Sequence, residues 1–354
     1  MRDNMVVIGG YYGFGNAGDE LILRSLVDRL RQESPNVSIT VLSADPLQTQ
    51  DHFGVDAINR WNPVAWIRAF SQARRFVLGG GGLLQESTSA WNYIYYLSLT
   101  ALAKLLGCRT EVRAIGVDPV QHRLNRWMTR LVFNHFVDSV SVRDTDSQLA
   151  LEASGVKIVI ARVPDLVFQF PTPAPTPIQN RVALALAPWP QRPGWEHDLS
   201  LVCDLLITTL KVSIDLLVFS PEQDAVLSEK TARAATQSIQ VRSWTTPEQL
   251  IGWMAEYELI IGMRYHALVL AALAEKPFIG WGFQRKVRSL CRDFGQPLWS
   301  FERGWETDAV FRQVCEAWRH RDLLPHRYSS RLPQLRTAIP VLHDVPRIFP
   351  AQVL

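Results

Sequence analysis

The stretch MVVIGGYYGFGNAGDE, residues 5–20, decides the fold class of this chain. Residues 5–9 are apolar and end in glycine, which is typical of a short buried strand. From residue 19 to residue 33 the apolar side chains recur at helical spacing. A buried strand that turns through glycines into an amphipathic helix begins a strand–helix–strand unit, and such units build parallel sheets.

The same alternation repeats along most of the chain, and the last clear strand is predicted at residues 278–281. A proline-rich segment, PTPAPTPIQN, interrupts it at residues 171–180 and predicts a linker. We therefore expect an α/β protein with two Rossmann-like, doubly wound parallel-sheet domains facing a cleft, where ligands would bind at strand ends. The predicted boundaries are 1–170 for the first domain, 171–180 for the linker, 181–322 for the second domain and 323–354 for a tail packing on the surface.

The composition excludes several classes of protein. Of 354 residues, 47% are hydrophobic and 20% charged, as in a globular chain. No stretch approaches the roughly 20 apolar residues that span a bilayer, and the start does not resemble a secretion signal. The four cysteines lie too far apart for a metal or redox motif. A net charge of +3 without a basic, aromatic-rich tract gives no support for nucleic-acid binding.

These features predict a cytoplasmic protein. One group of residues also suggests peripheral contact with a membrane. Trp61, Trp66, Arg68, Arg74 and Arg75 could together form an aromatic and basic patch at the inner face of the plasma membrane. The alternative is that both tryptophans pack in the core while the arginines stay solvated.

The glycine-rich loop at residues 9–20 is the first candidate site. It matches the dinucleotide pattern GxGxxG formally, but Asp19 and Glu20 would repel a pyrophosphate at the helix start. Asn16 and Asp19 suit hydroxyl recognition or proton transfer better. The structural alternative is that Asp19 caps the helix.

Two further candidates follow predicted strands of the first domain. The four glycines at residues 79–82, with Gly80 and Gly81 at their centre, would let a ligand approach the backbone, or would form a packing turn. Arg143 could clamp a carboxylate or phosphate. Alternatively it forms a surface pair with Asp144, which would cap the next helix.

The second domain carries two more candidates. Arg264 and His266 lie between a strand and a helix, where an arginine and an imidazole make an anion site with a titratable group. A capping or core histidine is the alternative. Lys286, in the pair Arg285-Lys286, could supply a second cation, or belong to an ordinary solvated pair.

Taken together, these segments resemble the polysaccharide pyruvyl transferase family, of the CsaB type. The matching pieces occur in the family's order: GYYGFGNAGDE at 10–20, GGGGLLQ at 79–85, VRD at 142–144, PDLVF at 164–168, MRYHAL at 263–268 and RKV at 285–287. Three residues depart from the family's pattern. Tyr265 replaces a leucine, and Ile115 and Asp118 replace the glutamine and second glycine of a Gln-Gly-Ile-Gly-Pro segment.

The resemblance implies a glycosyltransferase B-like architecture and an enzyme that transfers pyruvate from phosphoenolpyruvate to a sugar as a ketal. The acceptor would belong to a cell-surface or cell-wall polysaccharide or its precursor, which is lipid-linked in well-known members. By motif match, Arg143, Arg264, His266 and Lys286 would form the phosphoenolpyruvate site, and Asn16 and Asp19 would face the acceptor.

His266 is the expected general acid and Asp19 a candidate base. No step demands a metal or a redox cofactor. The alternatives are a nucleotide-sugar-dependent glycosyltransferase, a catalytically inactive binding relative and, more remotely, a dinucleotide oxidoreductase.

Overall fold

A computed structural model describes residues 4–86, 90–176, 180–189, 191–282 and 284–338. The chain divides into two compact units. The first comprises Met1–Phe14, Asp19–Gln169 and Leu335–Leu354, and the second comprises Gly15–Gly18 and Phe170–Gln334. Part of the predicted linker, residues 177–179, and half of the predicted tail, residues 339–354, lie outside the described residues.

The first unit is built on a parallel sheet of seven strands in the order β3-β2-β1-β4-β5-β6-β7. Its strands are β1 Met5–Gly9, β2 Ser38–Ser43, β3 Asp56–Asn59, β4 Arg75–Gly79, β5 Arg109–Ile115, β6 Ser139–Val142 and β7 Ile160–Arg162. Its helices are α1 Ala17–Glu33, α2 Pro46–Phe53, α3 Pro63–Gln72, α4 Ala90–Leu105, α5 Arg123–His135 and α6 Thr145–Ala153. The strand order reverses between β1 and β4, so their carboxyl ends mark the position where such sheets bind ligands.

The second unit repeats this plan with six parallel strands in the order β10-β9-β8-β11-β12-β13. Its strands are β8 Arg181–Ala185, β9 Ser213–Val218, β10 Gln240–Ser243, β11 Leu259–Gly262, β12 Phe278–Gly282 and β13 Leu298–Ser300. Its helices are α7 Glu196–Leu210, α8 Pro221–Ala234, α9 Gln249–Met254, α10 Tyr265–Leu273, α11 Arg285–Phe294, α12 Thr307–Arg319 and α13 Tyr328–Thr337. The predicted α/β class, with two doubly wound parallel sheets, is confirmed.

The central strands carry the core of each unit. In β1, β4, β8 and β11 almost every side chain is buried, as expected for strands covered by helices on both faces. Two of the four short edge strands, β3 and β13, escaped the sequence analysis. Strand β13 lies beyond the last strand that was predicted, because its three half-buried residues are too few to show a period.

Part of the predicted tail forms a helix. Residues 328–337 form α13, in which Tyr328 and Leu332 are buried. The Tyr328 hydroxyl donates a hydrogen bond to the Lys276 carbonyl, 3.0 Å away. The start of α13, which belongs to the second unit as far as Gln334, therefore packs against that unit.

In the part of the chain that the structure describes, none of the helices is both long enough and apolar enough to span a membrane.

Candidate functional site

In the first unit, hydrogen bonds to β4 and to α1 hold the glycine-rich loop that follows β1. Tyr12 is buried, and its hydroxyl donates to the carbonyl of Gly79 at the end of β4. Gly13 has a φ of +76°, and a methyl group there would lie 2.1 Å from Ser43 Oγ. The Gly13 amide donates to Glu20 Oε1 over 2.8 Å. The loop is therefore tied to the switch point of the sheet.

Glu20 is a buried acid that the sequence analysis used only as a negative charge. Burial raises the pKa of Glu20 from its ordinary value of 4.5 to about 8. Asp19 and Asp45 add to the rise, while hydrogen bonds from the amides of Gly13 and Phe14 oppose it. At neutral pH the side chain is therefore largely protonated.

We expect Glu20→Gln to change the pH dependence of stability. Since the folded-state pKa is raised, the wild-type contribution is complete below pH 4.5 and is lost as pH rises through about 8. Glutamine cannot ionise. The stability of the Glu20→Gln variant relative to wild type should therefore increase between pH 4.5 and about 8, by on the order of 4 kcal/mol in total. Thermal midpoints at pH 5 and pH 9 measure this change. The exposed Glu222→Gln is the control, and parallel curves for E20Q and wild type would contradict the prediction.

Asp19, Gly80 and Gly81, which were predicted separately, lie together in the first unit. Gly81 has a φ of +73°, and a methyl group on it would lie 2.5 Å from Asp19 Oδ1. Gly80 has a φ of +63°, and a methyl group on it would lie 2.0 Å from Ile22 Cγ2. Glycine is required at both positions because the backbone passes directly under α1.

Arg143 follows β6 and is joined to these glycines through Gly116. The Gly116 amide donates to the Gly81 carbonyl over 2.7 Å, and a methyl group on Gly116 would lie 2.6 Å from Arg143 Nη2. Arg143 lies near two carboxylates, Asp144 at 3.4 Å and Asp165 at 3.6 Å. Arg143 does lie beside Asp144, as the alternative had it, but only 3% of its side chain is exposed, so the pair is not a surface pair.

Hydrogen bonds show which of the two predicted helix caps, Asp144 and Asp19, is formed. Asp144 does cap α6, because its Oδ1 accepts from the Ser147 amide over 2.7 Å. Asp19 does not begin α1, which starts at Ala17. Instead Asn16 Oδ1 accepts from the Gly18 amide over 3.1 Å, the hydrogen bond of a helix cap.

The structure shows what Ile115 and Asp118, which depart from the family's pattern, do at the end of β5 and in the loop after it. The side chain of Ile115 is fully buried in the core of the first unit, so it contributes packing where an amide would contribute a polar group. The amide of Asp118 donates to the Leu84 carbonyl over 3.0 Å. This loop is thus held against the GGGGLLQ segment by its backbone.

Arg60 is a residue that the sequence analysis missed. It is 1% exposed, and its Nη1 donates to the Gly10 carbonyl over 2.9 Å. Four aromatic rings surround its guanidinium at centroid distances of 4.7–5.7 Å: Phe14, Trp61, Tyr95 and Tyr96. Such rings partly replace the missing counter-ion of a buried cation. Arg60 therefore supports the glycine-rich loop from beneath.

The tip of this loop, Gly15–Gly18, is grouped with the second unit rather than the first. The Ala17 amide donates to the Phe219 carbonyl at the end of β9, 2.9 Å away. A methyl group on Gly18 would lie only 1.9 Å from His266 Nδ1, so the imidazole packs on the Gly18 backbone. Asn16, expected on the acceptor side with the first domain, thus lies in the same compact unit as His266.

Arg264 is held by an acid that was not predicted. Its Nε and Nη2 donate to the carboxylate of Asp224, and Nη2 also donates to Gln223 Oε1 over 2.9 Å. Asp224 is fully buried and accepts from the Ser220 amide over 2.9 Å. Burial raises the pKa of Asp224, and Arg264 opposes that rise. Among the described residues, Nη1 of Arg264 has no hydrogen-bond partner.

Lys286 lies in the first turn of α11, directly after β12. Strands β11 and β12 pair in parallel, with Gly262 opposite Gly280. The segments that carry Arg264 and Lys286 therefore leave the same edge of the sheet side by side. In the described part of the chain, no cluster of three His, Cys, Asp or Glu residues could hold a metal ion.

Solved structures with a similar fold cover nearly the whole chain. HepE from Anabaena in complex with UDP-glucose gives a TM-score of 0.62 at 10% identity, covering 95% of this chain and 96% of HepE. MnaA from S. aureus in complex with UDP gives 0.63 at 11%, covering 95% and 92%. MurG from Acinetobacter baumannii gives 0.52 at 12%, covering 94% of each chain. At these identities the likeness shows the fold alone, and the glycosyltransferase B-like architecture is confirmed.

A comparison with curated protein sequences finds no match. The sequence model of the polysaccharide pyruvyl transferase family matches residues 16–282, which include Asn16, Asp19, Arg143, Arg264 and His266. This match covers most of the chain, and it agrees with the order of motifs from which the resemblance was drawn. The chain belongs to the polysaccharide pyruvyl transferase family, a family of transferases in polysaccharide biosynthesis.

Proposed function

We propose that this protein transfers pyruvate from phosphoenolpyruvate to two hydroxyls of a sugar in a cell-surface polysaccharide or its precursor, forming a ketal. Family membership supports the transfer of pyruvate to a polysaccharide. The observation that carries the donor is the pair Arg264 and His266 after β11, with Gly18 packed against the imidazole. It joins a cation and a titratable group at a strand end, which suits an anionic donor that must be protonated.

Phosphoenolpyruvate carries a carboxylate and a phosphate, so its site needs several cations. Arg264 is oriented by Asp224 through Nε and Nη2, which leaves Nη1 to meet the phosphate. Lys286 leaves the neighbouring strand and supplies a second positive charge. Arg143 is the proposed third cation, although its two carboxylate neighbours already offset much of its charge.

The proposed reaction begins with a proton from His266 to the methylene carbon of phosphoenolpyruvate, which becomes the methyl group of the product. The adjacent carbon becomes electrophilic, and a sugar hydroxyl adds there and loses its proton. The carbon–oxygen bond to phosphate then breaks, and a second hydroxyl of the same sugar closes the ketal ring. The products are the ketal and inorganic phosphate, without any change of oxidation state.

Asp19 is the proposed base for one acceptor hydroxyl. Its carboxylate lies directly over the Gly81 backbone, at the carboxyl end of β4 where ligands bind in sheets of this kind. A carboxylate at this position suits an acceptor of many hydroxyls. Asn16, Gly80 and Gly81 would contact the substrates through polar and backbone groups.

We expect Gly18→Ala to lower kcat about a hundredfold, because a displacement near 1 Å is costly in an ordered site. The added methyl group would displace the His266 ring, from which it would stand 1.9 Å away. Phosphate release in the presence of acceptor measures the effect. Gly252→Ala is the matched control, since no atom lies within 4 Å of its added methyl group. An unchanged kcat for G18A would show that the ring's position against Gly18 is unimportant.

The alternative is transfer from a nucleotide sugar, because HepE was solved with UDP-glucose and has the same fold. The other alternative is a catalytically inactive relative that binds its ligand without converting it. Thermal unfolding with phosphoenolpyruvate and with UDP-glucose separates these possibilities. A ligand at about 100 times its Kd stabilises by roughly 2.7 kcal/mol. We expect this shift with phosphoenolpyruvate, together with acceptor-dependent phosphate release. A shift with UDP-glucose alone would favour the glycosyltransferase, and binding without phosphate release would favour the inactive relative.

A further inference from the structure

Three consecutive helices of the first unit form one outer layer that contains no acidic residue. Helix α3 packs against α4, and α4 packs against α5. Trp66 of α3 contacts the Tyr95 ring of α4, and Tyr93 of α4 shares a hydrogen bond with Thr129 of α5. Neither aspartate nor glutamate occurs in any of the three helices. For an exposed helical layer this composition is unusual, because solvated faces normally mix both charges.

The layer is also strongly apolar where it meets solvent. Trp61, Trp91 and Trp127 are 56%, 80% and 59% exposed. Among the described residues, eight of the fifteen exposed large hydrophobic side chains belong to these helices or the turn before α3. We call this surface the tryptophan face and define it by Trp61, Val64, Trp91, Leu105, Leu124 and Trp127. Monomeric proteins rarely leave such a patch without a partner.

The exposed charges on the three helices themselves are basic, and Glu86, whose carboxylate accepts from the His122 amide and from Asn125, lies at the start of α5. Arg68 lies on α3, and Arg123, Arg126 and Arg130 lie on α5. This surface is larger than the patch expected from the sequence and is centred differently. Of that patch, Trp66 is half-buried, and Arg75 is paired with Glu111 at 2.8 Å.

We propose that the tryptophan face docks onto the surface of an anionic lipid bilayer. Indole rings favour the boundary between headgroups and acyl chains, where an apolar body and a polar N–H are both accommodated. Arginines beside them attract the negative headgroups. No acid in the three helices opposes that attraction. The protein would then lie on the membrane surface with α3, α4 and α5 facing the lipid.

The charge pattern also distinguishes a bilayer from a second copy of this chain. In a symmetric dimer the same surface faces itself, so the arginines of one copy would meet those of the other, and the three helices themselves supply no acid to pair with them. Apolar contact would then be opposed by like charges. A negatively charged lipid surface can accommodate the indole rings at its boundary and attract the arginines to its headgroups.

Sedimentation of the full chain with vesicles tests this proposal without any substrate, so its outcome does not depend on the proposed reaction. We expect binding to phosphatidylglycerol-containing vesicles that weakens in high salt, and little binding to pure phosphatidylcholine. Trp91→Ser with Trp127→Ser should weaken binding at least about tenfold, because two rings leave the lipid boundary. Both side chains are mostly exposed, so the fold is retained. Leu47→Ser, at a residue 78% exposed on α2, is the matched control.

The contribution of charge is tested by Arg123→Glu with Arg130→Glu, against Lys157→Glu between α6 and β7. Loss of each arginine should weaken binding roughly fivefold, and reversal should weaken it further. Equal binding to both kinds of vesicle, or none to either, would overturn the proposal. So would a dimer in light scattering that dissociates in Trp127→Ser, since the face would then be a protein interface.

Discussion

Replacing His266 by alanine should lower kcat for pyruvyl transfer by about 10²–10⁴-fold, the usual contribution of a positioned general acid. The fold should be unaffected, because His266 is only half-buried and lies at the start of α10, whose buried side is entirely aliphatic. The loss arises in protonation of the enol carbon, because the other ionisable side chains of the MRYHAL segment, Arg264 and Tyr265, are much weaker acids than an imidazolium.

The balance between kcat and KM decides which role His266 has. A general acid should affect kcat and remove one limb of the pH profile, while KM for phosphoenolpyruvate changes little. A cation that only holds phosphate should mainly raise KM. His197→Ala, at an exposed histidine of α7, is the matched control. Wild-type kcat together with wild-type KM in H266A would exclude both roles.

The long-range plan of this fold is predictable because its central strands are continuously apolar and its turns are rich in glycine. Strands such as β1 and β4 reach a buried length of four or five residues, enough for a pattern. Edge strands such as β13 do not, since three half-buried residues have no recognisable period. Helix α3 was also missed, because its exposed apolar side chains blur the amphipathic pattern.

At the site, the residues that follow strands could be predicted, while their buried partners could not. Arg264 was conspicuous as a cation in an apolar stretch, whereas Asp224 resembles any acid in the first turn of a helix. Arg60 lies outside every motif that was considered, and only the fold brings it to the Gly10 carbonyl. Contacts between residues 40 or more positions apart are decided by the folded chain, and a single sequence carries no record of them.

The pairing of Arg264 with Asp224 predicts that simple removal of the arginine will be misleading. Asp224 is fully buried, so Arg264→Gln leaves a carboxylate without its cation. Breaking a buried pair in this way costs about 3–5 kcal/mol. The variant should lose both stability and transfer activity, and its lost activity alone would not identify a donor-binding residue.

The double variant Arg264→Gln with Asp224→Asn separates the two effects. Removing both charges of a buried pair is often close to neutral, so urea unfolding should recover most of the lost stability, with a coupling of at least about 2 kcal/mol between the two substitutions. Stabilisation by phosphoenolpyruvate and transfer should stay lost, because the Nη1 that would meet the phosphate is gone. Asp224→Asn alone should keep some turnover with a raised KM, since the guanidinium remains but is less firmly oriented. If the double variant bound phosphoenolpyruvate and turned over like wild type, Arg264 would be a structural partner of Asp224, and the donor cations would have to be sought at Lys286 and Arg143.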